Sequence, residues 1–380
     1  MPIRRLLFLF ALLYGVPAHA AEPPASTPLR LLVPAYFYPE GKGLDEWKRM
    51  ARAAKDVPIV AIANPASGPG SRPDASYTAA IDLARSAGVA VIGYVSTRYA
   101  KRPETEVRAD IDRWLQFYPK IDGFFFDEQT SGKEQVPYYG AIAKYVQSRR
   151  TDVGALVVTN PGTVTSQEYL TPWKGIHVSC LYEDHGGLDR YQRPGWTVSV
   201  PSAQVAGLVY GEASLARMRE NLRLAASKGV GFVYVTDNGG SNPWDRLPTY
   251  WELEVAELRR AYPGSTRPGL GTDVPQIHWA YDATQQLAQR GIYTGYADGT
   301  FAGKRAFTRL QFGGSIRNML EQIGTLKTPT PLPSAQQARA DVKALEMLML
   351  EFRFEMELHG VSSNRATAGI KSFRKTLGLP

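Results

Sequence analysis

One cysteine, Cys180, stands in a chain of 380 residues, so no internal disulfide is available. Lying inside an apolar run, its thiol reads as a small buried side chain. Histidine is almost as scarce. Beyond His19 there are His177, His185, His278 and His359, with no His-x-His pair and no His-Glu-x-x-His sequence, which argues against a metal-dependent hydrolase. His177 and His185 flank Glu183, so a histidine/carboxylate site stays open. No Gly-x-Ser-x-Gly elbow occurs, which argues against a serine hydrolase. The loop Ser67-Gly68-Pro69-Gly70 lacks the Gly-Lys-Ser/Thr that a phosphate loop needs. No cofactor is implied. After the first residues no apolar run approaches the roughly 20 residues of a membrane helix. A charge excess is missing from most of the chain too. Of the net +8, residues 21–265 hold 28 basic against 27 acidic groups, while residues 266–380 hold 14 against 9. A basic stripe for nucleic acid is therefore not expected.

What is present begins with Arg4 and Arg5, an apolar run from Leu6 to Val16, and Ala18-His19-Ala20 before Ala21. Residues 1–20 read as a secretory signal. The product is expected to be exported: periplasmic, extracellular or associated with the cell surface.

Eight short apolar runs follow, Leu29–Tyr38, Pro58–Asn64, Val89–Thr97, Ile121–Glu128, Gly154–Asn160, Gly175–Asp184, Val205–Gly211 and Gly229–Asn238. Segments of helical period such as Ser76–Ala87, Glu104–Phe117, Pro137–Arg149 and Ser214–Ser227 lie between them. The runs are apolar on both faces, as strands of a helix-covered parallel sheet must be. Eight βα units in about 240 residues give an α/β fold, a TIM-like (β/α)8 barrel over residues 28–262. An open doubly wound sheet is the alternative, but the first run ends in Pro34-Ala35-Tyr36-Phe37-Tyr38-Pro39 rather than a glycine-rich turn.

Polar residues gather at the C-terminal ends of the runs, where this fold places its active sites. They are Tyr36, Tyr38, Asn64, Tyr94, Thr97, Asp127, Glu128, Asn160, Glu183, Asp184, Tyr210, Thr236, Asp237 and Asn238. Asp127 and Glu128 end an aromatic run, whose neighbours disfavour a charged carboxylate and raise its pKa. Glycosidic bond cleavage by the common route uses two carboxyl groups, and these two with Glu183 supply three candidates. Consecutive strand residues face opposite ways, so Asp127 and Glu128 share a pocket only if the chain curls out of the strand at Asp127. The aromatics Tyr36, Tyr38, Tyr94, Tyr99, Tyr182, Trp196, Tyr210 and Trp244 suit the flat apolar faces of sugar rings.

Tyr36-Phe37-Tyr38-Pro39, Asn64-Pro65-Ala66-Ser67-Gly68-Pro69-Gly70, the run Gly93 to Tyr99, Asp110-Ile111, the run Ile121 to Glu128 and Asn160-Pro161-Gly162-Thr163 resemble, in order, the motifs of the spherulin-4-like (spherulation-specific family 4) proteins. The resemblance implies a TIM-like barrel. It further implies an endo-acting glycoside hydrolase on α-1,4-linked galactosamine or N-acetylgalactosamine biofilm polysaccharide. The family's acidic positions fall on Asp127, Glu128 and Glu183, and Ser96 stands where many members have histidine.

A turn-rich linker, residues 263–272, precedes a second unit. His278-Trp279-Ala280, Gly291-Ile292, Asp298-Gly299-Thr300-Phe301 and Thr308-Arg309 resemble one S-layer homology repeat over residues 273–323, which implies attachment to a cell-wall polymer. Its Thr-Arg-Ala-Glu motif stands as Thr308-Arg309-Leu310-Gln311. Residues 334–358 form an amphipathic helix carrying Val342, Leu345, Leu348, Leu350 and Phe354, and residues 359–380 read as a basic solvated tail.

Overall fold

In a computed structural model, the apolar runs become eight parallel strands that close into a barrel in sequence order. They are β1 (Arg30–Ala35), β2 (Ile59–Ala63), β3 (Ala90–Ser96), β4 (Gly123–Asp127), β5 (Leu156–Thr159), β6 (Val178–His185), β7 (Val205–Tyr210) and β8 (Phe232–Val235). The structure describes residues 29–149, 155–170, 176–261, 273–274, 279–289, 292, 307–324, 326, 328–329 and 332–380. The expected leader, the linker and the Asp298–Phe301 string lie outside these residues.

Helices α1 (Lys42–Ala53), α2 (Ala75–Ser86), α3 (Glu104–Phe117), α4 (Val136–Arg149), α5 (Leu215–Ser227) and α6 (Trp251–Ala261) pack around the barrel. Capping explains where some begin. The Asp74 carboxylate accepts from the amides of Ser76 and Tyr77 at the start of α2, and Ser214 accepts from the Arg217 amide at the start of α5. The regular βα alternation is not complete among the described residues. After β5 and β6 the chain makes 3₁₀ turns, Gln167–Leu170, Gly195–Ser199 and Ser202–Gln204. Prolines 161, 194 and 201 in these connections remove the amide hydrogens that an α-helix interior needs.

Side-chain parity can be read from close contacts. A Cβ added at Gly93 would lie 2.6 Å from the Trp114 ring on α3, so Gly93 faces the helices and its neighbour Tyr94 faces the barrel interior. Phe125 pairs with Tyr94 and shares that interior face, as does Asp127 two residues on. Phe124 and Phe126 point the other way and stack with ring centroids 6.1 Å apart. In β6 the register shifts between Cys180 and Tyr182, leaving Leu181 as an extra residue. Because of this bulge Cys180 pairs with Ala206 and Glu183 with Leu208, so the two share one face although they are three residues apart.

A second hydrophobic core lies in the C-terminal helices α7 (Trp279–Gln289), α8 (Arg309–Ile323), α9 (Ala335–Glu351), α10 (Arg353–Leu358) and α11 (Ser363–Thr376). A short antiparallel pair, β9 (Asp273–Val274) with β10 (Phe307–Thr308), joins the two ends of the repeat. The long helix expected over residues 334–358 is interrupted at Phe352, whose ring stacks on Phe312 at 4.8 Å. The basic end is not a solvated tail. It forms α11, which buries Phe373 and Leu377 in the second core while its lysines remain on the outer side. This unit meets the floor of the barrel. Arg30 at the start of β1 lies 3.8 Å from Glu357, and His177 before β6 packs edge-on against His359 at 5.3 Å.

Arg309 is the main polar tie inside the unit. It is 5% exposed, bonds Glu351 at 2.7 Å and Glu355 at 2.8 Å, and lies 4.7 Å above the Phe352 ring. Removing one partner of a buried pair leaves the other charge uncompensated. Arg309→Ala is therefore expected to destabilise the chain by about 3–5 kcal/mol, read from urea unfolding of the full chain. A loss below about 1 kcal/mol would mean that the pair behaves as a surface pair.

Candidate active site

The parity of β3, β4 and β6 delivers four polar side chains to the barrel mouth. Asp127 ends β4 facing inward, and Asn160 follows β5 by one residue. Glu183 reaches the same place from β6 because of the bulge. The Asn160 amide nitrogen donates to Asp127 Oδ1 at 2.8 Å and to Glu183 Oε2 at 2.5 Å. Its carbonyl oxygen accepts from the Gly162 amide at 2.9 Å, which fixes the orientation of the side chain. Tyr94 donates its hydroxyl to Asp127 Oδ2 at 2.8 Å. The two Asn160 bonds set an upper limit of about 5.3 Å between those carboxyl oxygens.

The environment separates the two acids. Burial pushes the Glu183 carboxyl up to about 7, and the charge of Asp127 adds to the rise, while hydrogen bonds from Asn160 and Trp244 oppose it. Burial also raises Asp127, but donors from Tyr94, the backbone and Asn160 favour its ionised form. The hydroxyls of Tyr36 and Tyr94 are held protonated, chiefly by burial and then by the charge of Asp127.

A cavity of about 570 Å³ opens over Glu183, walled by Tyr36, Asn64, Tyr210 and Trp244 among others. Tyr210 and Trp244 meet edge to face at 5.7 Å, and Tyr36 meets Tyr94 in the same way at 5.8 Å. The loop Gly240–Trp244 after β8 and Ser67 in the loop after β2 complete the wall. Trp244 is among the aromatics expected to meet a sugar ring, whereas residues 240–243 and Ser67 do not stand out as a site by residue type.

The other expected site residues are placed differently. Glu128 does leave the strand, with φ at 57°, and its carboxylate accepts from the Ser96 hydroxyl and from the Arg98 amide at 3.2 Å. Thr97 is wholly buried, with its hydroxyl on the Asp127 and Glu128 carbonyls, and serves the backbone rather than a ligand. Tyr182, turned by the bulge, donates to the Gly187 carbonyl at 2.6 Å. Asn238 donates to Asp245, and Asp237 pairs with Arg246 at 3.0 Å; both organise the last loop. Tyr38 donates to Asp74 beside the mouth, and Asp184 holds the exposed His185. Trp196 packs partly buried against the barrel core, and Tyr99 stands exposed on the loop after β3. His177 is at the opposite end of β6 from Glu183, accepting from the Val157 amide. His177 and Glu183 are thus not assembled into one site, and His185 pairs with Asp184 at 2.8 Å. Among the described residues no three His, Cys, Asp or Glu side chains converge as a metal site.

A closed parallel eight-strand barrel with paired carboxylates at the C-terminal ends of its strands defines a TIM-like fold with an enzyme-like mouth. The chain belongs to the spherulation-specific family 4, whose profile matches residues 30–258, and it carries an S-layer homology domain over residues 272–312. Spherulin-4 of Physarum polycephalum is 34% identical over 245 residues, covering 62% of this chain and 71% of that protein. Outer membrane protein SlpA of Deinococcus radiodurans is 37% identical over 117 residues, 30% of this chain. The chain spans only 10% of that relative's length. The solved structure of Aspergillus clavatus Sph3 in complex with GalNAc superposes with a TM-score of 0.53 at 22% identity, over 61% of this chain and 98% of that one. That likeness is one of fold.

The raised carboxyl of Glu183 has a thermodynamic consequence. A group whose pKa is higher in the folded state contributes stability below its unfolded value, near 4.5, and loses it as pH rises through about 7. Glu183→Gln should therefore unfold at a higher temperature than the parent at pH 8, by the equivalent of about 1–2 kcal/mol after allowance for partial exposure. At pH 4.5 the two should coincide, and equal melting at both values would contradict the assigned environment.

Proposed function

We propose that the protein is an exported, cell-surface glycoside hydrolase. Its substrate would be an exopolysaccharide of α-1,4-linked galactosamine or N-acetylgalactosamine, the matrix polymer of biofilms, cut within the chain. The observation that carries this reading is the Asp127–Asn160–Glu183 bridge, whose Glu183 end lines an aromatic-walled cavity. The complex of the structurally similar Sph3 with GalNAc supports an amino sugar as the ring that fills it.

The separation of the carboxyls selects the route. Groups about 5–5.5 Å apart suit a double displacement with retention, whereas inversion needs roughly 6.5–9.5 Å to admit a water. The Asn160 bonds bring one oxygen of Asp127 within about 5.3 Å of one oxygen of Glu183, which supports the first route. Glu183, protonated up to about pH 7, gives its proton to the leaving glycosidic oxygen. Asp127, ionised under its donors, attacks the anomeric carbon as that bond breaks, forming a glycosyl ester. The resulting Glu183 carboxylate then takes a proton from water, whose oxygen attacks the same carbon and releases Asp127. Asn160 keeps the two acids at a fixed distance throughout.

The S-layer homology domain and the SlpA relative support retention at the cell surface. The basic balance of residues 266–380 would favour an anionic wall polymer. Since Arg309 is already engaged by Glu351 and Glu355, wall contact would use other residues of the repeat.

Incubation with galactosamine-rich polymer should yield shortened oligosaccharides of retained anomeric configuration. Asp127→Asn and Glu183→Gln should each lower kcat by roughly two to four orders of magnitude, and the parent's kcat/KM should fall above pH 7. Tight binding of oligosaccharide by the parent with no turnover at any pH would instead make the barrel a sugar-binding module. The full chain should also co-sediment with isolated cell wall, and its recovery in the supernatant would overturn attachment.

A further inference from the structure

Three consecutive residues without glycine, Arg98, Tyr99 and Ala100, take left-handed backbone angles, with φ of 47°, 55° and 61°. Each such residue costs roughly 1 kcal/mol or more in an L-amino acid, and a glycine at any of them would relieve it. The partner segment is strained in the same way, since Glu128 has φ at 57°. The two segments hold each other. The Tyr99 amide donates to the Glu128 carbonyl at 2.7 Å, and the Arg98 amide donates to the Glu128 carboxylate at 3.2 Å. The Ser96 hydroxyl donates to that same carboxylate oxygen. Below them Thr97 ties the carbonyls of Asp127 and Glu128, and Arg102 donates to the Ser96 carbonyl at 2.6 Å.

The outcome is a tyrosine ring that is 56% exposed, on a loop whose backbone is bonded to the residue next to Asp127. Tyr99 itself does not line the cavity over Glu183. Its ring stands outside that cavity, on a loop tied through its backbone to the residue after Asp127.

We propose that Glu128 is a positioning residue rather than a chemical acid. It clamps the Arg98–Ala100 loop in its left-handed turn so that Tyr99 forms an outer stacking subsite for a sugar ring of a long polymer. The inference rests on the glycosidase reading for its ligand, and on the two hydrogen-bonded segments for its mechanism. It accounts for a carboxylate beside Asp127 that takes no part in the Asn160 bridge. It also assigns a use to the strain, which would otherwise be removed by glycine together with the ring.

The test compares Tyr99→Ala, Glu128→Ala, Glu128→Gln and the Tyr99→Ala/Glu128→Ala double variant. Tyr99→Ala, at an exposed position, should raise KM for long galactosamine oligomers about 5- to 10-fold, the loss of one stacking contact, with kcat nearly unchanged. Glu128→Ala should reproduce that loss, and the double variant should be no worse than either single one. Glu128→Gln, whose amide oxygen accepts the same two bonds, should restore KM and keep the alkaline limb near pH 7. Should Glu128→Gln lose activity as deeply as Glu183→Gln, Glu128 is a chemical acid and the proposal is overturned. Unchanged KM in Tyr99→Ala removes the subsite. Amide hydrogen exchange separates these outcomes from failure of the glycosidase reading, because it needs no turnover. Glu128→Ala should speed exchange at Arg98 and Tyr99 at least 10-fold and Glu128→Gln should not, while equal protection in all variants removes the clamp.

Discussion

One side-chain amide governs the mouth of this barrel. Asn160 donates both of its hydrogens, one to each of two buried carboxyls, and uses its carbonyl oxygen to lock itself to Gly162. Two carboxylates this close repel each other and are poorly solvated. Without a donor between them, one would protonate or both would turn toward water. The amide carries no charge, so it holds the acids near each other without forcing both to ionise. A lysine or arginine in its place would add a positive charge that favours the ionised form of both acids and lowers both pKa values. The proton on Glu183, the charge on Asp127 and the distance between them thus all depend on a neutral donor one residue beyond β5.

Much of this arrangement can be read along the chain. The eight apolar runs correspond to the eight strands, and their polar ends mark the mouth, because strands of a parallel barrel are buried on both faces and only their ends meet solvent. The string from Ile121 to Glu128 shows how far such reading goes. Asp122 bonds Arg85 and the Val91 amide at the floor, Gly123 leaves room for the Leu156 carbonyl, and Asp127 alone enters the site. The turn of the chain after Asp127, required if Glu128 is to stay near the pocket, is present as a left-handed residue. What stays hidden is direction. Thr97 sits at a strand end like the others yet spends its hydroxyl on backbone, and Tyr182 faces away from the side of Cys180, two residues before it, because of one extra residue. Residue type and position along a run carry no signal for either. Among the described residues no α-helix follows β5 or β6, and this is equally hard to foresee, since proline-bearing connections of 18 and 19 residues also fit a short helix with long loops.

The C-terminal unit changes the meaning of the net charge. Its lysines at 371 and 375 look unopposed along the chain, but they lie on a helix whose opposite side packs Phe373 and Leu377 into a core. The basic groups are thereby presented from a rigid surface instead of a loose end. The same unit buries His359 against His177 beneath the barrel, and burial pushes His359 down to about 4. The two histidines beneath the barrel are therefore held neutral by burial, while the mouth at the other end holds its acids.

The bulge in β6 carries a lesson about inheritance. The bulge absorbs Leu181, so Cys180 and Glu183 face the same way although three residues apart; a straight strand that kept that residue in its ladder would carry Glu183 to the helix-facing side. Loss of Leu181 in a descendant would leave Glu183 opposite Leu208 and facing the mouth, so the sixth strand can shorten by that one residue without moving the acid.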